Sequence, residues 1–148
     1  MGAGILAALA GVASLLPSPF GDVRQVQAGG MRLPGEPPLR LVLERACANC
    51  HSNETKWPWY SYVAPASWLL EQDVSEGRKF LNFSRWPDYG PAGQSQLSAA
   101  ASSQVQAGAM PPARYLALHP EARLTKAEKD QLVAWFNRQS NQVPPPRK

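Results

Sequence analysis

The pentapeptide Cys47-Ala48-Asn49-Cys50-His51 uses both cysteines of a 148-residue chain, and no other feature narrows so far what the chain folds around. A CxxCH run is the attachment signature of a c-type haem. Two thiols three residues apart lie on one helical turn, where each reaches one vinyl group of the porphyrin, and the adjacent imidazole projects toward the iron. The motif therefore predicts one covalent haem c, its linkage through Cys47 and Cys50, and His51 as an iron ligand. Two other readings use the same residues. A structural zinc needs four nitrogen or sulfur ligands, and His119 is the one further histidine. A redox dithiol of the thioredoxin kind belongs in an alternation of strands and helices, and this chain is poor in β-branched alternating runs.

The length suits one domain with appendages. Apolar residues make up 44% of the chain and charged residues 18%, a globular balance, while 15 prolines predict short helices joined by irregular segments. Met1 to Leu16 holds no charged side chain and reads as a signal-peptide core or, extended through Phe20, as an N-terminal membrane anchor; the anchor is favoured, because no basic residue precedes the run. Either reading implies export, to the periplasmic side of the cytoplasmic membrane. Residues 21–38, rich in Gly and Pro, read as a linker, 39–140 as the haem-binding domain and 141–148 as a disordered tail. The net charge of +4 is that of a solvated surface, and nothing has the density of basic and aromatic residues that nucleic-acid binding needs.

Leu39, Val42, Leu43, Ala46 and Cys50 recur at helical spacing, so one apolar face leads into the haem motif. Pro65 to Gln72 and Val74 to Leu81 read as two short helices, Asn82 to Pro87 as a turn, and Gln94 to Gln106 as a polar, Ala- and Ser-rich helix at the edge of the fold. Thr125 and Glu128 form a capping box ahead of Leu132, Val133, Trp135 and Phe136. That last helix is expected to pack against the first, which gives an all-α, class I cytochrome c-like fold of short helices around one haem, preceded by the N-terminal hydrophobic helix.

Trp57, Trp59, Tyr60 and Tyr62 crowd six positions, and with Trp68 they supply flat apolar walls whose polar ends suit haem propionates. Core packing explains aromatic residues equally well. Arg78 and Lys79 are candidate propionate contacts, with Asn82 beside them, against the ordinary reading of basic side chains as surface. The sixth iron position has two candidates. Met110 sits in a Met-Pro-Pro loop between the haem motif and the last helix, and His119 follows before Pro120. The loop position favours Met110, and His119 otherwise anchors the loop by a hydrogen bond.

Four segments, Cys47–Trp59, Ser61–Trp68, Glu76–Trp86 and Met110–Leu124, resemble a family of small bacterial monohaem c-type proteins described as haem-binding domain proteins. The resemblance implies covalent haem c, His51 and Met110 as ligands, and export, commonly with a hydrophobic anchor. It implies no reaction. The leading expectation is thus an electron carrier, not an enzyme, passing single electrons between redox protein partners outside the cytoplasm. The alternatives are a sensor or peroxidase-like protein with a labile sixth ligand, and a fixed haem subunit of a larger respiratory or photosynthetic complex.

Overall fold

The computed structural model describes residues 14, 20, 23–25, 29–32 and 35–142. Among them every regular element is helical, as expected of an all-α haem-binding fold. Helix α1 spans Pro37–Ala46, α2 Ala48–His51, α3 Ala66–Phe80, α4 Gly90–Gln106, α5 Ala113–Leu118 and α6 Lys126–Ser140, with 3-10 turns at Trp59–Tyr62, Phe83–Tyr89 and Pro120–Ala122.

Helix α1 starts on Pro37, whose fixed φ suits a first turn, and buries Leu39, Val42, Leu43 and Ala46 on one stripe. It stops at Cys47, where the backbone leaves helical geometry (φ −126°, ψ −37°) while its N–H still donates to the Leu43 carbonyl. The chain re-enters helix at once as α2. One apolar face therefore runs from the first core helix into the haem motif.

Where two short helices are expected between Pro65 and Leu81, α3 is one unbroken helix of 15 residues. Gln72 and Asp73 do not interrupt it, since neither lacks a backbone donor and a polar pair on a solvated face costs a helix little. The turn after it is as expected in place. The Asn82 side chain accepts from the Ser84 N–H at 2.9 Å and starts a 3-10 turn that buries Phe83 and Trp86.

Helix α6 begins on the capping box: Thr125 accepts from the Glu128 N–H, and the Glu128 carboxylate accepts from the Thr125 N–H at 2.8 Å. Its buried Leu132, Trp135 and Phe136 do not face α1 chiefly. They lie mainly against α4, and α1 is touched more lightly, with Arg45 paired to Glu128 at 2.6 Å. Helix α4 is thus no edge element. It buries Ser98, Ser102 and Val105, and small side chains let α6 approach closely where large ones would hold it off. Polar clasps finish the seam, from Ser102 Oγ to Asn137 Oδ1 at 2.7 Å and from Ser95 Oγ to the Ser140 carbonyl at 2.6 Å.

The expected linker is partly docked. Val23 and Met31 are buried, Met31 joins the main apolar cluster with Leu43, Phe83, Trp86 and Phe136, and the Arg32 N–H donates to the Phe83 carbonyl at 3.0 Å. Apart from Ser14 and Phe20, the expected anchor at residues 1–20 lies outside the described residues, as do residues 143–148 of the expected tail at 141–148. Among the described residues no helix is long and apolar enough to cross a membrane.

Candidate haem-binding site

The CxxCH run closes a single turn. The N–H groups of Cys50 and His51 both donate to the Cys47 carbonyl, at 3.2 and 3.0 Å, so the two thiols stand one turn apart on adjacent positions of the same surface. Both cysteines are free and half-buried. Burial, helped by the neighbouring Cys50, pushes the Cys47 thiol up to about 12, and burial together with the Asp73 charge pushes Cys50 up to about 11. A catalytic dithiol needs the opposite, a thiol lowered toward neutrality. Neither thiol is lowered in this way.

Helix α3 orients the imidazole. His51 Nδ1 lies 2.9 Å from the Leu81 carbonyl, which is only an acceptor, so Nδ1 carries the proton and Nε2 presents its lone pair. Burial pushes the His51 pKa down, against the backbone oxygens of Leu81 and Gly77, and keeps the ring neutral as a metal ligand must be. Phe83 flanks it with ring centroids 5.9 Å apart. The approach of α3 depends on a missing side chain. A Cβ on Gly77 would lie 2.6 Å from the Cys50 carbonyl oxygen, so glycine lets helix backbone meet haem-turn backbone directly.

A polar frame fixes the turn from the other side. Ser52 Oγ donates to the Ala48 carbonyl at 2.7 Å, Thr55 Oγ1 to the Asn49 carbonyl at 2.6 Å, and the Lys56 N–H to Asn49 Oδ1 at 3.1 Å. Arg78 donates to the carbonyls of Ser52 and Val23 and to Thr55 Oγ1, at 2.8, 2.7 and 3.0 Å. Asn82 is buried and donates to Asn53 Oδ1 at 2.8 Å. Arg78, expected at the propionates, and Asn82, expected among the haem contacts, make these bonds within the protein. Ser52, Asn53 and Thr55 were not singled out by sequence, because their role depends on what α3 places opposite them.

The aromatic residues divide. Trp57 and Tyr62 enclose the Arg24 guanidinium, whose carbon lies 4.3 and 4.7 Å from their ring centroids, and Arg24 pairs with the buried Glu71 at 2.6 Å. Trp68 lines a cavity of about 130 Å3 beside that ion pair, together with Ser61 and Ser67. Trp57 therefore packs on a part-buried ion pair, and Trp68 borders the cavity beside it. Trp59 is 80% exposed, and Tyr60 bonds through its hydroxyl to His119 Nε2 at 2.5 Å.

Met110 lies just past Gly108, whose φ of 72° turns the chain out of α4, and its N–H donates to the Gln104 carbonyl at 3.3 Å. Its side chain is 38% exposed. His119 is held at both ring nitrogens, by Tyr60 at Nε2 and by Glu121 Oε1 at Nδ1, 2.9 Å away. That engagement removes the fourth ligand from a zinc site, and among the described residues no group of three or more His, Cys, Asp and Glu side chains is placed to hold a metal ion.

The residues present fit a haem. Two neutral thiols stand on one turn beside a neutral imidazole with its Nε2 lone pair free of the Leu81 bond. Elements around them leave large apolar side chains in water, with Trp59, Phe80 and Leu118 exposed at 80, 73 and 63%.

The family model described as a haem-binding domain matches residues 26–138. The chain is also 30% identical over 106 residues to the cytochrome c peroxidase of Escherichia coli K12, an alignment that takes in 68% of this chain and 22% of that protein. The chain thus spans about a fifth of that relative's length. No solved structure matches. With thiols, imidazole and uncovered apolar surface assembled on a helical frame, and with the family match extending across that whole frame, the chain belongs to the haem-binding domain family.

Proposed function

We propose that this is a c-type cytochrome domain that passes single electrons between redox proteins outside the cytoplasm. Cys47 and Cys50 would hold one haem through thioether bonds, and His51 and Met110 would bind its iron. The observation that carries the reading is the Nδ1–H bond from His51 to the Leu81 carbonyl, which fixes the tautomer and leaves the Nε2 lone pair free on the turn that bears Cys47 and Cys50. Bound haem supplies an iron that takes up and releases one electron. The chain orients that centre, keeps water from the proximal side with Leu81 and Phe83, and sets the potential through its ligands. Met110 is supported over His119 by the double engagement of the imidazole. Export and anchoring rest on the uncharged run from Met1 to Leu16.

A second reading, a haem whose sixth ligand leaves to admit peroxide or a diatomic gas, is favoured by the exposure of Met110 and by likeness to a peroxidase. A third is a fixed haem subunit of a larger respiratory or photosynthetic complex. Absorption spectra of the mature protein in both oxidation states separate them. The first reading expects a methionine-to-iron charge-transfer band in the ferric protein that disappears in Met110→Ala and survives in His119→Ala. A band that persists in Met110→Ala removes Met110 from the iron. Rapid carbon monoxide binding by the reduced protein selects the second reading, and co-purification with redox subunits in mild detergent selects the third.

A further inference from the structure

Methionine and histidine compete for the sixth position in this chain, and the structure holds a side chain placed to decide between them. His119 Nδ1 faces the Glu121 carboxylate at 2.9 Å; a carboxylate accepts, so Nδ1 carries the proton and the lone pair is on Nε2. That lone pair accepts the Tyr60 hydroxyl at 2.5 Å. Burial, then the Glu121 charge, pushes the Tyr60 pKa up, so the phenol keeps the proton it donates. His119 also lies near the haem turn: its ring stacks on Tyr115 at 4.3 Å with 19° between planes, and the Tyr115 hydroxyl accepts from Asn49 Nδ2, inside the CxxCH run, at 2.8 Å. An imidazole with the ligating tautomer thus stands beside the haem-bearing turn with one phenol on its metal-binding nitrogen.

We propose that Tyr60 is a positioning residue that selects the axial ligand, by occupying His119 Nε2 so that Met110 and not His119 completes the iron. The inference rests on the reading of Met110 as sixth ligand. An imidazole binds haem iron readily and lowers its potential relative to a thioether. Masking one nitrogen atom therefore keeps the potential high without removing His119, which remains in place to tie residues 113–122 to the turn at Trp59–Tyr62.

The test is Tyr60→Phe in the haem-loaded full chain, which deletes the hydroxyl and keeps the ring that packs beside His119. The expected result is loss of most of the methionine-to-iron band, a bis-histidine low-spin signal in electron paramagnetic resonance, and a lower midpoint potential. The double variant Tyr60→Phe/His119→Gln should regain the band, since no competing imidazole is left. A Tyr60→Phe protein with unchanged band and potential overturns the inference. So does a band lost in Tyr60→Phe and still missing in the double variant, which makes Tyr60 a structural prop. Failure of the underlying reading looks different: the unmutated protein lacks the band, or Met110→Ala retains it, and the inference falls with it.

Discussion

Between α4 and α6 the contact consists of Val105, Leu132, Trp135 and Phe136 with Ser98 and Ser102 set among them, whereas the turn bearing Cys50 and His51 is held by hydrogen bonds with Ser52, Thr55 and the Leu81 carbonyl, and Arg78 braces Ser52 and Thr55. The first region is packed into the main apolar cluster with Leu39, Leu43, Phe83 and Trp86. The second holds its backbone rigidly yet leaves Trp59, Phe80 and Leu118 in water. Burial is nondirectional and supplies stability, while hydrogen bonds are directional and supply geometry. One region is held chiefly by packing, and the other is a hydrogen-bonded frame around the CxxCH turn.

Changes in the two regions should therefore fail in different ways. The largest stability loss is expected from Phe136→Ala, about 3–5 kcal/mol from a fully packed aromatic core position, measured by urea unfolding, with similar cost in haem-free and haem-loaded protein. A cost that appears only in the loaded protein would break the distinction. Gly77→Ala should come next. Helix propensity favours alanine by about 1 kcal/mol, but the Cβ meets the Cys50 carbonyl at 2.6 Å, and overpacking of about 1–3 kcal/mol outweighs it. Haem incorporation should fall along with stability, and a stabilised variant would show that α3 does not seat on the haem turn.

Glu71→Gln leaves the Arg24 guanidinium without its carboxylate between Trp57 and Tyr62. Losing one partner of a fully buried pair costs several kcal/mol, but Arg24 is 31% exposed, so a loss of about 1–2 kcal/mol is expected. Thr125→Ala removes the α6 cap for about 1 kcal/mol without changing haem content. The last effect is nil at neutral pH. Both thiols titrate above the ordinary value of 9.0, so above it the unfolded chain sheds protons that the folded haem-free chain retains. Haem-free stability should hold below pH 9.0 and fall as pH rises toward about 12, and a Cys47→Ser/Cys50→Ser variant should lose that slope.

Legibility in the sequence followed the range of the interactions. The CxxCH turn, the stripe of α1, the Asn82 turn and the Thr125 capping box are local, fixed within a few residues, and the structure has them where spacing placed them. The partnership of α4 with α6 was not legible, because Ser98 and Ser102 look like solvated residues until a neighbouring helix exploits their small size. The bonds of Arg78 to the carbonyls of Ser52 and Val23, and of Asn82 to the Asn53 side chain, join residues 26, 55 and 29 positions apart, beyond the reach of local spacing. Arg24 lay in a stretch that read as spacer, and its place between two aromatic rings follows from tertiary docking.

The central claim is that the CxxCH half is built to carry one haem covalently. The intact mass of the protein, produced in a cell competent in cytochrome maturation and extracted with acid acetone, tests it most directly. The account predicts the chain plus one haem, reduced to bare chain in Cys47→Ser/Cys50→Ser. Bare polypeptide from the unmutated protein, or haem that leaves with the acetone, would contradict it.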